Sequence, residues 1–221
     1  MTVHMKNEIE RLKKKLLALC AQVDQQLRQA VKSIKDRDAA LARRVIENDY
    51  RIDQDEVDVE EECLKILALY QPVAIDLRFI VTALKINNDL ERIGDLSVNI
   101  AERSEFLAHQ DPIDAPFDFD LMAEKAQEML RKSIDALVNI DTDLAHAVCE
   151  MDDEVDAINK EMYDLVKRSI LNRPEFIEML IHLLSVSRHL ERVGDHATNI
   201  AEDVIYMAEG RIVRHTTEEY L

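Results

Sequence analysis

Apolar residues recur at steps of three and four along nearly the whole chain. Ile9, Leu12, Leu16, Leu19, Val23, Leu27, Ala30 and Ile34 open the pattern, which has the period of an amphipathic helix. It predicts a first helix from about Asn7 to Ile34. The charged stretch Lys35–Asp38 makes a turn, and a second helix follows from about Asp38 to Tyr70. Pro72 ends that helix and suits the opening turn of a third, where its missing N–H is no loss. The third helix reaches about Ala108. From His109 to Asp120 the sequence HQDPIDAPFDFD holds two of the four prolines, several aspartates and no apolar period, so it is read as a linker. Helix four is expected from about Leu121 to Asn139 and helix five from about Asp143 to Leu171. Pro174 opens helix six as Pro72 opens helix three, and Gly210 caps its end. Helices of about 30 residues are about 45 Å long, and short connections force neighbours antiparallel. The expected fold is all-α: two tandem, pseudo-symmetric antiparallel three-helix bundles, residues 1–110 and 117–221.

Composition fits. Only three glycines and four prolines occur in 221 residues, and 33% of residues are charged, the make-up of long helices. The net charge of −17 argues against nucleic-acid binding, which needs clustered Lys and Arg, and favours cationic or apolar partners. The N-terminal MTVHMKNEIERLKKK lacks a secretion signal's apolar core, and no stretch approaches the roughly 20 apolar residues of a membrane span. A cytoplasmic protein is expected, touching membranes only through partners. Cys20, Cys63 and Cys149 show no CxxC spacing and read as buried small hydrophobes. Phosphate loops, GxSxG elbows and HExxH pairs are all missing from the sequence, so a non-enzyme is expected.

The most informative feature is a duplication. Leu90–Glu102 reads LERIGDLSVNIAE and Leu190–Glu202 reads LERVGDHATNIAE. Gly94 and Gly194 occupy matched mid-helix positions, each at a cost of about 1 kcal/mol relative to alanine, which implies that something approaches the backbone closely there. Glu91 and Asp95 are four residues apart and so neighbours on one helix face. Asn99 and Glu102 extend that stripe, while Leu90, Ile93, Ser97, Ile100 and Ala101 supply the core side. Glu191, Asp195, Asn199 and Glu202 repeat the arrangement. A second kind of pair sits one helix earlier: Asp49 and Asp53, continued by Glu56 and Glu60, and in the second half Asp152 and Asp156.

Hard cations prefer oxygen ligands, and one helix face offers two, so a site needs pairs converging from adjacent helices. A cation would relieve the mutual repulsion of such carboxylates. Acidic pairs at this spacing are also common on solvated faces, and that plain reading suits Asp49/Asp53 or Asp152/Asp156 taken alone. The recurrence of glutamate, glycine, aspartate and NIAE together favours a ligand role for the cassettes. Arg92 and Arg192 are expected in surface ion pairs of little worth. His182, His189 and His196 lie about 140 to 180° round the helix from Glu191, which favours a helix edge or subunit contact over the alternative of a separate histidine site. The Glu-x-x-His pairs of di-iron bundles do not occur.

Over Leu69–Glu102 and His189–His215 the sequence closely resembles the PhoU family of phosphate-transport regulators, and the resemblance covers almost the whole chain. It implies a cytoplasmic negative regulator of the phosphate starvation response that links the phosphate transporter's ATPase subunit to a sensor histidine kinase. It also implies a homodimer and metal ions, iron or zinc first and magnesium or manganese next, on E(D)xxxD motifs. Carried over by motif, the ligands are Asp49, Asp53, Glu91 and Asp95 in one half and Asp152, Asp156, Glu191 and Asp195 in the other. The first half keeps the family's PxAxDLR stretch at Pro72–Arg78, whereas the second reads PEFIEML at Pro174–Leu180, so the two sites are expected to differ in affinity or metal. The competing readings are a di-metal carboxylate enzyme or ion store, and a metal-free scaffold.

Overall fold

A computed structural model describes residues 3–113 and 119–213. Its helices are α1 (Val3–Lys35), α2 (Ala39–Asn48), α3 (Tyr50–Tyr70), α4 (Ala74–Ala108), α5 (Phe119–Asn139), α6 (Thr142–Asn172) and α7 (Ile177–Glu209), with a short 3₁₀ turn at Pro174–Phe176 before α7. Helices α1 to α4 pack together, as do α5 to α7, and the halves join along α4 against α7 and α1 against α5. The predicted apolar stripes are the buried ones. Leu12, Leu16, Leu19, Val23 and Leu27 of α1, Ile86, Leu90, Ile93 and Ile100 of α4, and Leu190, Val193 and Ile200 of α7 enter one continuous core that spans both halves. Cys20 and Cys63 lie inside it and burial pushes both thiols up to about 12. Cys149 packs at its margin, its thiol pushed up to about 11.

The repeat extends to the turns. Arg37 and Ile140, 103 residues apart, both adopt left-handed backbone with φ of 52° and 54°. Each is followed by an aspartate N-cap: Asp38 accepts from the Leu41 N–H and Asp141 from the Leu144 N–H, satisfying an orphan donor of the first turn. Gly210 caps α7 in the left-handed region, as expected, at φ 72°.

Three boundaries differ from expectation. The predicted second helix is divided at Asp49 into α2 and α3. Asn48 donates its side-chain amide to the Arg44 carbonyl at 2.7 Å, the acceptor its own backbone N–H would use, and Ile52 N–H bonds the Asp49 carbonyl in a tighter 3₁₀ step. Such local side-chain bonds compete with the helix ladder. The second half has Met151 at the matched position, and α6 runs unbroken. Pro72 does not open α4: Gln71 turns left-handed at φ 47°, Val73 is extended, and the helix starts at Ala74. Pro174, in contrast, opens a 3₁₀ turn, so the two prolines are not equivalent. Of the expected linker, residues 114–118 lie outside the described residues.

The histidines face the other half. His182 stacks on Phe106 of α4 with ring centroids 3.9 Å apart, and His196 Nδ1 lies 2.8 Å from Asp89 Oδ1 of α4. Asn199 was expected on the acidic stripe but donates to the same Asp89 at 3.3 Å; its side chain reaches across the seam. Lys85 of α4 meets the buried Asp203 of α7 at 2.9 Å.

Candidate metal centre

The two glycines mark where the carboxylate-bearing helices pass. A Cβ built on Gly94 would lie 3.3 Å from Ile52 Cγ2 and 3.6 Å from Asp49 Oδ1; on Gly194 it would lie 3.6 Å from Asp152 Oδ1. The bare backbone of α4 therefore sits against the α2–α3 junction, and that of α7 against α6. What approaches each glycine is a neighbouring helix carrying the first aspartate of an acidic pair.

In the second half, Asp156 of α6 and Glu191 and Asp195 of α7 each offer a carboxylate oxygen, all within 4.8 Å of one another. An ion that takes oxygens at about 2.0 to 2.6 Å spans such a gap, so this donor set suits a hard cation. Asp152 stands beside this trio without joining its 4.8 Å group. Burial pushes its carboxyl up to about 6, reinforced by the negative charges of Asp195 and Asp156. Glu191 and Asp195 are likewise raised, by burial first and then by their acidic neighbours. Half-buried like charges set this close together favour a cation between them. A groove of about 1030 Å³ between α6 and α7, lined by Tyr163, Ile181, Leu184 and Arg188, opens onto Asp156 and Glu191.

The first half assembles the matching groups but ties them to protein donors. Asp49 is raised by burial and by Asp53 and Asp95, yet Gln26 of α1 opposes this by donating its amide to Oδ1 at 2.7 Å. Glu91 is raised by burial, then by Asp95, with Glu56 and Asp53 adding to it. Arg92 bridges both cassette carboxylates, 3.3 Å from Glu91 and 3.2 Å from Asp95, in the surface pairing expected of it. Among the described residues, only the second half brings three potential ligand atoms within 4.8 Å.

Of the eight sequence-predicted residues, Asp156, Glu191 and Asp195 are brought together; Asp152 and the four of the first half lie on the neighbouring helices without forming such a group among the described residues. Sequence reasoning missed two groups. Glu56, read as a continuation of the stripe, belongs to the first quartet's surroundings and accepts from Asn87 at 2.9 Å. Gln26 was not singled out, because a glutamine on the core-facing side of α1 carries no motif. Its signal lay in the repeat: Gln26 and Met129 are separated by the same 103 positions as Asp49 and Asp152.

Among the described residues no helix is long and apolar enough to cross a membrane. The PhoU domain family matches residues 4–104 and 119–204. The chain is 39% identical over 208 residues to a phosphate-specific transport system accessory protein PhoU homolog of Aquifex aeolicus, covering 94% of each chain. It is 35% identical over 215 residues to PhoU homolog 1 of Thermotoga maritima, covering 95% of this chain and 90% of that one. The crystal structure of PhoU from Pseudomonas aeruginosa matches with a TM-score of 0.90 and 36% identity over 93% of this chain and 99% of that one. That of the phosphate transport system regulatory protein PhoU from Streptococcus pneumoniae matches at 0.84 and 26% identity over 95% and 99%. With the family covering both halves, the duplicated cassettes among them, the chain belongs to the PhoU family.

Proposed function

We propose that the protein is a cytoplasmic accessory regulator of a phosphate-specific transport system. As an adaptor it contacts the transporter's ATPase subunit and a sensor histidine kinase, so that phosphate sufficiency represses the starvation response. The observation that carries this reading is likeness along both halves to relatives named as accessory proteins of phosphate transport. The site chemistry agrees with a scaffold, since the converging groups are carboxylates held between paired helices. A homodimer is part of the proposal.

The carboxylate quartets are proposed to hold metal ions, with Asp152, Asp156, Glu191 and Asp195 as one set and Asp49, Asp53, Glu91 and Asp95 as the other. A bound cation supplies positive charge between paired helices. The protein's part is to bring the oxygens together across the glycine contacts and to fix the angle between α3 and α4, or α6 and α7, that a partner meets. Iron or zinc is favoured, and all-oxygen ligation also suits manganese or magnesium.

The adaptor claim is tested by capture of the purified ATPase subunit and of the kinase's cytoplasmic region, with a phosphate-responsive reporter in cells lacking the protein. Binding of both partners and derepression at high phosphate are expected. Normal repression without the protein would overturn the regulatory claim. Redox turnover or bulk iron loading would instead favour the enzyme or ion-store reading.

A further inference from the structure

The two quartets are related by the internal repeat, yet the residue behind each differs in kind. Gln26 of α1 is buried at 7% exposure and donates to Asp49 Oδ1. At the matched place on α5 stands Met129, fully buried, whose sulfur lies 3.5 Å from the point above Gly194 where Asp152 Oδ1 also arrives at 3.6 Å. A thioether donates no hydrogen bond. The cassette arginines differ as well: Arg92 bridges Glu91 and Asp95, whereas Arg192 lowers Asp195 through its charge without bridging the cassette pair.

We infer that Gln26 and Met129 set the order in which the quartets fill, so that the second half binds a cation more tightly than the first. This rests on the metal reading above and concerns positioning residues, not ligands. A hydrogen bond to a full carboxylate charge is stronger than one to a neutral acceptor. Once a cation has drawn off that charge, the same bond is worth less. Gln26 therefore stabilises the ion-free first quartet more than the filled one and works against loading. Arg92 acts in the same sense more weakly, because its pairs are solvent-exposed. In the second quartet Thr198 lowers Asp152, Arg188 lowers Glu191, and His196 and Arg192 lower Asp195, but among the described residues no side-chain amide is bonded to these carboxylates, and three oxygens already stand within one ion's span.

The test is equilibrium titration of the metal-free full-length protein with zinc and, separately, manganese(II), counting bound ions by elemental analysis and checking folding by far-UV circular dichroism. Wild type is expected to show two classes of site. Asp156→Ala with Glu191→Ala should remove the tighter class, and Asp53→Ala with Glu91→Ala the weaker. Gln26→Met, which copies the second half, should tighten the weaker class about tenfold, the scale of one charge-assisted hydrogen bond. Met129→Gln should weaken the tighter class to a similar extent. Should the buried amide prevent Met129→Gln from folding, Gln26→Met and Gln26→Leu decide the matter.

Indistinguishable classes, or a tight class lost with Asp53 and Glu91, would overturn the inferred order. Weakening of the first site by Gln26→Met would overturn the role given to Gln26, since an outer-shell donor that orients a ligating carboxylate raises affinity instead. Wild type binding neither ion would sink the metal reading itself, and the inferred order with it.

Discussion

Asp152→Asn should stabilise the metal-free protein at neutral pH. Burial and two acidic neighbours raise this carboxyl from 3.8 to about 6. At about 1.4 kcal/mol per pH unit, that is about 3 kcal/mol of destabilisation once the group is ionised. The side chain is only half-buried, and screening by water brings the figure to about 1 to 1.5 kcal/mol. The sign follows from proton counting. Between 3.8 and about 6 the folded chain keeps a proton that the unfolded chain has released, so the favourable contribution is complete below that window and gone above it. Asparagine keeps the shape and carries no charge at any pH. In chelator-treated samples the variant should melt about 2 to 6 °C above wild type at pH 7.5, and the gap should close towards pH 4. Saturating zinc should reverse the order, because the variant has lost one ligand. A variant less stable than wild type at pH 7.5 without metal, or a gap unchanged by pH, would refute the claim that crowded charge is held at this position.

Other positions give independent checks. Ile140 is a β-branched residue at φ 54° and 54% exposed, so Ile140→Asn should raise chemical-denaturation stability by about 1 kcal/mol by suiting the left-handed turn. Its counterpart Arg37 donates to the Leu107 carbonyl at 2.6 Å, and Arg37→Asn should show no such gain. Gly194→Ala should stabilise the metal-free protein by up to about 1 kcal/mol, since the new methyl meets only ordinary contacts; Gly94→Ala should gain less, because Ile52 stands 3.3 Å away. His189 is pushed down from 6.5 to about 4 by burial, with Arg103, Arg192 and Arg188 adding to it. Below pH 6.5 the unfolded chain takes up a proton that the folded chain refuses, so stability falls with acidification. His189→Gln should reduce that loss by about 1 kcal/mol, allowing for its partial exposure, as read from melting temperatures at pH 7 and pH 4.5.

The helices were legible because their apolar period is long and uninterrupted, and the core contains the residues that period selects. The boundaries that slipped were set by interactions with no period. The break at Asp49 accompanies a side-chain bond from Asn48, and the start of α4 is delayed by the left-handed Gln71. The matched glycines pointed to the helix contacts at which Asp49 and Asp152 arrive, although only Gly94 is tightly packed against its neighbour. The inequality of the halves was legible only in part. The missing PxAxDLR stretch hinted at it, but the contrast at the site itself comes from Gln26 and Met129, which reach the carboxylates from a helix distant in sequence. The histidine stripe was correctly separated from the acidic stripe by helical angle, while the element it meets, α4 of the other half, depends on how the two halves dock.

The central claim is that acidic side chains from neighbouring helices form a cation site in the second half. The most direct measurement is anomalous diffraction from crystals of the metal-free protein soaked in manganese(II), with a second data set from the Asp156→Ala, Glu191→Ala double variant. The account predicts a wild-type peak at bonding distance from Asp156, Glu191 and Asp195, and its loss in the variant. A peak that persists in the variant, or strong sites in wild type that avoid these three residues, would contradict it.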